Sequence, residues 1–321
     1  MGGNSLTIQV LKPGLFTTIQ DLGRFNFQRY GVSVGGAMDQ VSMKLANFIV
    51  GNHENEAVLE ITMIGPVLQF FCNTLISITG ANLTPMINGK KISGYKPIQV
   101  YANDVLSFHG VVKGCRAYIA FKGGILVKPI LGSKSFFPYT NDEMTLLHRN
   151  LRSGDVLTVH PFTFKHQIRW KVNDTTQIIE KNVIRYIPGP QFHEFDRNDI
   201  RLFEEQFYKV LPESNRIGYR LFGAPLLKKS RGELLSEGTT FGTIQVPGDG
   251  QPIILMADRQ PTGGYPKLGQ VISVDLPVLA QKKPGDLITF KQVTLEEAYS
   301  LKVQESNRLK IIKKMIQEQW K

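Results

Sequence analysis

Short apolar runs closed by turn residues recur along almost the whole chain, and this recurrence restricts it to a mainly β fold. The runs are Thr7 to Leu11, Val67 to Phe71, Leu75 to Thr79, Val105 to Phe108, Ala117 to Phe121, Val156 to His160, Val183 to Ile187, Pro252 to Met256, Val271 to Val274 and Leu287 to Phe290. Their brevity and close spacing suit barrels or sandwiches better than alternating strands and helices. Few helices are predicted. Asp39 to Val50 places Val41, Leu45, Phe48 and Ile49 on one face, with Asp39 as N-cap and Gly51 just past the end. Ile200 to Val210 is a second, behind an Asp199 cap, and the capping box Thr294 to Glu297 opens the last.

With 321 residues the chain can form one large domain or two of ordinary size. Two are favoured because the halves echo each other. Gly65-Pro66 and Gly189-Pro190 each introduce a β-rich block, and Ser153-Gly154-Asp155 and Pro284-Gly285-Asp286 each introduce a closing strand. The polar stretch Lys165 to Asn182 is the expected linker. The division predicted is residues 1–165, residues 183–293 and a C-terminal amphipathic helix over 294–321, with a single barrel as the alternative.

Composition excludes several classes of function. A 42% hydrophobic and 20% charged chain is that of a soluble globular protein, and no apolar run approaches the roughly 20 residues of a spanning helix. Cys72 and Cys115 are the two cysteines and lie in apolar segments, which argues against a disulfide framework. The start MGGNSLT lacks a secretory pattern, so a cytoplasmic location is expected. The net charge of +11 is scattered, and its densest run, Arg308 to Lys314, has amphipathic spacing with Leu301, Leu309, Ile312, Ile316 and Trp320. Acidic metabolites or an acidic protein are therefore expected as partners, and neither nucleic acid nor a membrane.

Two segments look like sites. DRQPTGGYPKLG, Asp258 to Gly269, follows the apolar run PIILM. It puts Asp258, Gln260 and Lys267 where a strand ends and exposed polar groups gather. Gly263 and Gly264 permit close backbone approach to a ligand, and Tyr265 stands beside them. A lysine among amides, with Gln245 of GTIQVPGDGQP added, suits a developing oxyanion or a bound carboxylate. The other segment, Thr17 to Asp39, gathers Asp21, Arg24, Arg29 and Asp39 around Gly23, Gly31, Gly35 and Gly36, and Gly35-Gly36 shortly before a helix can present N–H groups to an anion.

Other patterns are weak or missing. Gly31 to Gly35 matches G-x-S-x-G, but the preceding FNFQRY is not a buried strand and the helix starts only near Asp39, so Ser33 is not read as a nucleophile. No phosphate loop, dinucleotide fingerprint or H-E-x-x-H motif occurs. The six histidines lack metal-ligand spacing, and no metal site is expected.

The motifs TTIQDLGR, GGAMD, ANFIVGN, LEITMIGP, GTIQVPGDGQPI and DRQPTGGYPKLG with PGDLITF, in this order from about Ile8 to Ala298, resemble the allophanate hydrolase subunit 2 family. That family includes the C-subunits of 5-oxoprolinase, KipI antagonists and the carboxyltransferase domain of urea amidolyase. The resemblance implies two cyclophilin-like β-barrel domains, an intracellular protein and a partner of the allophanate hydrolase subunit 1 (KipI-like) type. It implies further that Asp39 and Lys267 are the charged pair of one cleft. Arg24, Gln245 and Asp258 are our own additions as supporting residues, with Gly35, Gly36, Gln260, Gly263, Gly264 and Tyr265 on the substrate side. The implied activity is ATP-dependent opening of 5-oxo-L-proline to L-glutamate, together with the partner and a third hydrolytic subunit, with ATP belonging to the complex and not necessarily to this chain. The alternatives are a regulatory protein acting on an inhibitor of a sporulation kinase, and a carboxyltransferase acting on urea or another small amide. Met38 is followed by Asp39, so no A-M-K-M biotin-attachment motif occurs there, and biotin would have to arrive on another protein.

Overall fold

A computed structural model describes residues 7–139, 144–164, 168, 170–173, 181–227 and 234–320. Two compact units emerge. One comprises residues 1–24, 35–176 and 310–321, the other residues 25–34 and 177–309. The linker expected over Lys165 to Asn182 lies largely outside the described residues.

Among its described residues the first unit contains eleven strands: β1 (Thr7–Lys12), β2 (Phe16–Gln20), β3 (Val58–Thr62), β4 (Val67–Phe70), β5 (Thr74–Asn82), β6 (Pro85–Ile87), β7 (Lys90–Lys91), β8 (Ile98–Val100), β9 (Val105–Phe108), β10 (Lys113–Phe121) and β11 (Val156–Thr158). They form a six-stranded sheet, β11-β1-β4-β9-β6-β7, and a five-stranded sheet, β2-β3-β10-β5-β8. Alternation along β1 and β4 turns Ile8, Val10, Leu68 and Phe70 into a core that also takes in Ile76, Ile119 and Phe121 from the other sheet. Helix α1 (Gln40–Ile49) buries Met43 and Ala46 in a smaller cluster with Leu75, Tyr118 and Ala120. Its register is fixed by two buried hydrogen bonds: Ser77 Oγ donates to the carbonyl of Ala46 at 2.6 Å and Thr79 Oγ1 to that of Ser42 at 2.7 Å.

In the second unit the strands are β12 (Val183–Pro188), β13 (Tyr208–Val210), β14 (Gly218–Phe222), β15 (Glu237–Gly238), β16 (Thr243–Gln245), β17 (Ile253–Leu255), β18 (Thr262–Gly263), β19 (Lys267–Val271) and β20 (Leu287–Gln292). Seven of them close a barrel in the order β12-β19-β16-β17-β14-β13-β20, while β15 and β18 make a separate ribbon. Closure leaves no open edge in the barrel. It is completed by the parallel pair β12 and β20, while the other barrel pairs are antiparallel. Aromatic rings carry much of this core: Phe203 stacks on Phe290 at 4.1 Å, and Tyr186 and Tyr208 meet Phe203 edge-on.

The duplicated turns have matching geometry. Gly154 and Gly285 both have positive φ, 89° and 92°. Each donates its N–H to the carbonyl of a strand valine, Val10 or Val210, at 2.8 Å, and the carbonyl of the next aspartate accepts that valine's N–H. The carboxylates of Asp155 and Asp286 then accept the N–H groups of Arg152 and Lys283. A tight turn thus starts β11 in one unit and β20 in the other by the same set of bonds.

Two elements differ from expectation. Val271 to Val274 is not a strand: β19 ends at Val271, and Ser273–Asp275 is a 3-10 turn leading into α3 (Leu276–Ala280). Asp275 accounts for this, since Arg185 donates to its carboxylate from its backbone N–H and from its guanidinium, pinning the chain as it leaves the sheet. The helix expected over Ile200 to Val210 is α2 (Arg197–Glu205), capped by Asp196 and followed by β13. Asp199 instead accepts the N–H of Leu227. The capping box of α4 (Leu295–Gln319) forms as read, with Thr294 and Glu297 exchanging backbone-to-side-chain bonds. Among the described residues, no helix is long and apolar enough to cross a membrane.

Candidate functional site

In the second unit the candidate site is built on β16 and β19, where Gln245 and Lys267 are register partners. Lys267 begins β19 and is only 9% exposed. An ammonium so placed needs an anion and hydrogen bonds to offset its lost hydration. Its Nζ forms an ion pair with Glu237 and donates to the carbonyl of Gly238 at 3.2 Å. Gln191, just after β12, is also buried; its Oε1 accepts the N–H of Lys267 at 3.1 Å and its Nε2 donates to Glu237 Oε2 at 3.3 Å. The hydrogen bond from Lys267, against a smaller opposing effect of burial, holds the Glu237 carboxyl below its ordinary range.

Around this ion pair the TGGYPK motif acts mainly through its backbone. Gln245 Nε2 points toward the carbonyl of Tyr265 at 3.5 Å. A Cβ on Gly263 would stand 2.6 Å from that amide nitrogen, so a side chain at 263 would displace Gln245. Gly264 and Tyr265 are exposed, as is Gln260, whose carbonyl accepts Thr239 Oγ1 at 2.6 Å.

Asp258 is held by an arginine. Its carboxylate takes Arg216 in a two-pronged ion pair, Nε to Oδ2 at 2.7 Å and Nη2 to Oδ1 at 2.8 Å. Next to it, Arg259 is buried, with its Nη1 on the carbonyl of Met256 and its Nε without a hydrogen-bond partner. Burial pushes this guanidinium down to about 10, with Asp258 opposing the shift. Ser33, in the sequence that imitates a nucleophile elbow, donates its hydroxyl to the carbonyl of Arg259 at 2.8 Å and serves to tie two loops together.

In the first unit Asp39 is the N-cap of α1. Its Oδ1 accepts the N–H of Ser42 at 2.9 Å and its Oδ2 the Ser42 hydroxyl at 2.6 Å. The backbone around it is clamped by a buried network. The Asp39 N–H donates to the Tyr118 hydroxyl, and the Tyr118 hydroxyl and the Met38 N–H both donate to Glu60 Oε2, each at 2.8 Å. Burial, and then the Glu60 and Asp39 carboxylates, hold the Tyr118 phenol well above its ordinary value, so it remains a donor. Gly35 and Gly36 have positive φ, and a Cβ on Gly36 would lie 2.7 Å from the backbone of Leu22, so the loop packs main chain against main chain. Arg24 is fully buried: it donates to the carbonyls of Ile130, Ser135 and Phe136 and lies over the Phe137 ring at 4.4 Å. These contacts organise the loop over residues 130–137.

The structure therefore gathers Gln245, Gly263, Tyr265 and Lys267 in one place, groups Asp258 with Arg216, and sets Asp39 at a helix start. Sequence reasoning missed Glu237, Gln191, Arg216, Glu60 and Tyr118. Glu60 left a readable signal, a charge inside the apolar strand VLEIT, and such a residue is buried only with partners.

Comparison with known proteins agrees with the motifs. Residues 30–292 match the family described as carboxyltransferase domain, subdomain A and B. The C-subunit of the 5-oxoprolinase of Escherichia coli (strain K12) is 36% identical over 295 residues, covering 91% of this chain and 93% of that protein. Urea amidolyase of Saccharomyces cerevisiae is 34% identical over 92% of this chain, which spans only 17% of the yeast protein. The crystal structure of the K. lactis urea amidolyase superposes with a TM-score of 0.87 at 30% identity, over 96% of this chain and 20% of that one. The fold, the order of the motifs and the length of the match agree, and the chain belongs to the family of carboxyltransferase domains, subdomains A and B.

Proposed function

We propose that the chain is a subunit of an ATP-dependent 5-oxoprolinase that opens 5-oxo-L-proline to L-glutamate, acting with a subunit-1-type (KipI-like) partner and a third hydrolytic subunit. The observation that supports this reading is the similarity to the 5-oxoprolinase C-subunit of Escherichia coli, 36% identical over 91% of this chain. The site supplies suitable chemistry. Opening a lactam concentrates negative charge on its carbonyl oxygen, and a fixed ammonium among amide donors stabilises charge developing there. Lys267 takes that role, with Gln245 beside it, and Asp39 orients the ring amide or carries its proton. ATP is assigned to the complex, where it activates the carbonyl, and no residue of this chain is assigned to it.

A second reading is transfer of a carboxyl group to a small amide, with biotin delivered by another protein. It draws on the family match and on the urea amidolyase relatives. The test is to purify the chain with its subunit-1-type and third partners and to follow glutamate release from 5-oxoproline. Release that requires this chain is expected. A complex that assembles without releasing glutamate rejects the reading and leaves a regulatory role, whereas carboxybiotin-dependent carboxylation of urea supports the second reading.

A further inference from the structure

We propose that Lys267 and Gln191 form a cradle for one carboxylate oxygen of a small anionic ligand, and that Glu237 is the internal carboxylate which such a ligand displaces. The proposal rests on reading Lys267 as ligand-facing. Two donors from different parts of the barrel converge on a single oxygen: Lys267 Nζ and Gln191 Nε2 both reach Glu237 Oε2. The cradle is rigid. Lys267 lies on a barrel strand, its N–H holds the Oε1 end of the Gln191 amide, and that bond turns Nε2 toward the shared oxygen. Gly238 accepts another ammonium proton, which fixes the direction of Nζ.

The two sides of the ion pair are unequal. Lys267 is 9% and Gln191 7% exposed, whereas the Glu237 side chain is 42% exposed. Glu237 lies on a two-residue strand that, among the described residues, pairs with Thr262–Gly263 outside the barrel. Removing an anion from a buried ammonium is costly, but exchanging one carboxylate for another leaves Lys267 paired and returns Glu237 to water. Only the carboxylate has somewhere to go. Gly263, the register partner of Glu237, adds no side chain next to it. The ligand class is therefore a small carboxylate, since a neutral amide of the same shape cannot replace the charge.

The probe is acetate, titrated calorimetrically into the full chain, with acetamide as its neutral isostere. Glu237→Ala removes the internal competitor and is expected to bind acetate at least about fivefold more tightly than the wild type. Acetamide should distinguish neither protein, and adding Lys267→Met to Glu237→Ala should abolish acetate binding. Glu237→Gln keeps the side-chain shape and should shift affinity in the same direction, so it replaces the alanine variant if circular dichroism shows that one unfolded. Acetate affinity equal to or weaker than that of the wild type, or no binding by either variant, overturns the proposal. Because no turnover is measured, such a failure leaves the 5-oxoproline reading standing, and a complex without turnover leaves the binding result standing.

Discussion

On the proposed 5-oxoprolinase reading, replacing Lys267 with methionine should lower glutamate release by the assembled complex by about 10²–10³-fold, the usual loss when a fixed oxyanion donor is removed. Methionine keeps most of the apolar stem that packs at the start of β19 and deletes only the ammonium. The partner left behind, Glu237, is half exposed and can return to water. Stability should therefore change by less than about 1 kcal/mol, in line with other pairs that have one exposed member. If Lys267 acts on charge that develops during the reaction, the loss falls on kcat. If it only holds the ground state, KM rises while kcat stays put. Steady-state kinetics on the complex, beside a thermal melt of the isolated variant, separates a chemical role from a structural one. A variant with full turnover removes Lys267 from the chemistry.

Replacing Arg216 with methionine should have the largest effect on stability, a loss of about 3–5 kcal/mol. The Asp258 side chain is 12% exposed and Arg216 supplies both prongs of its ion pair. Deleting the guanidinium leaves an anion with little access to water, which costs far more than the net value of the pair. The backbone around the pair is tied in as well, since the Asp258 N–H donates to the carbonyl of Arg216 at 2.8 Å. Converting Asp258 to leucine in the same chain should recover most of the loss, because an apolar pair in place of a buried ion pair is often neutral. Urea unfolding of the two variants checks this. Equal destabilisation of the single and double variants would show that backbone distortion, and not the orphaned charge, is the cause.

Much of the fold is legible in the sequence because it rests on local signals. The apolar runs Thr7 to Leu11 and Val67 to Phe71 are strands β1 and β4 as expected, though their pairing is seen only in the structure, and the repeated Ser-Gly-Asp and Pro-Gly-Asp turns mark equivalent strand starts in the two units. Errors arise where a distant partner decides. The apolar run at Val271 is cut short by Arg185 acting on Asp275, ninety positions along the chain. Arg24 shows the same limit at the site: its place among glycines suggested a ligand, yet its guanidinium meets carbonyls more than a hundred residues away. Lys267 is visible as a lysine gripped between a proline and a strand. Its partners Gln191 and Glu237 are not, because they stand 76 and 30 positions away in unremarkable polar stretches.

On the proposed function Asp39 and Lys267 serve the same reaction, and a double-mutant cycle on the assembled complex tests this most directly. Asp39→Asn preserves an oxygen for the Ser42 N–H and so keeps the helix cap while removing the charge. With glutamate release as the readout, Asp39→Asn combined with Lys267→Met should be little worse than Lys267→Met alone, because groups that act as a unit fail to add. Losses that multiply, or an Asp39→Asn variant with wild-type turnover, contradict the claim and reduce Asp39 to a helix cap.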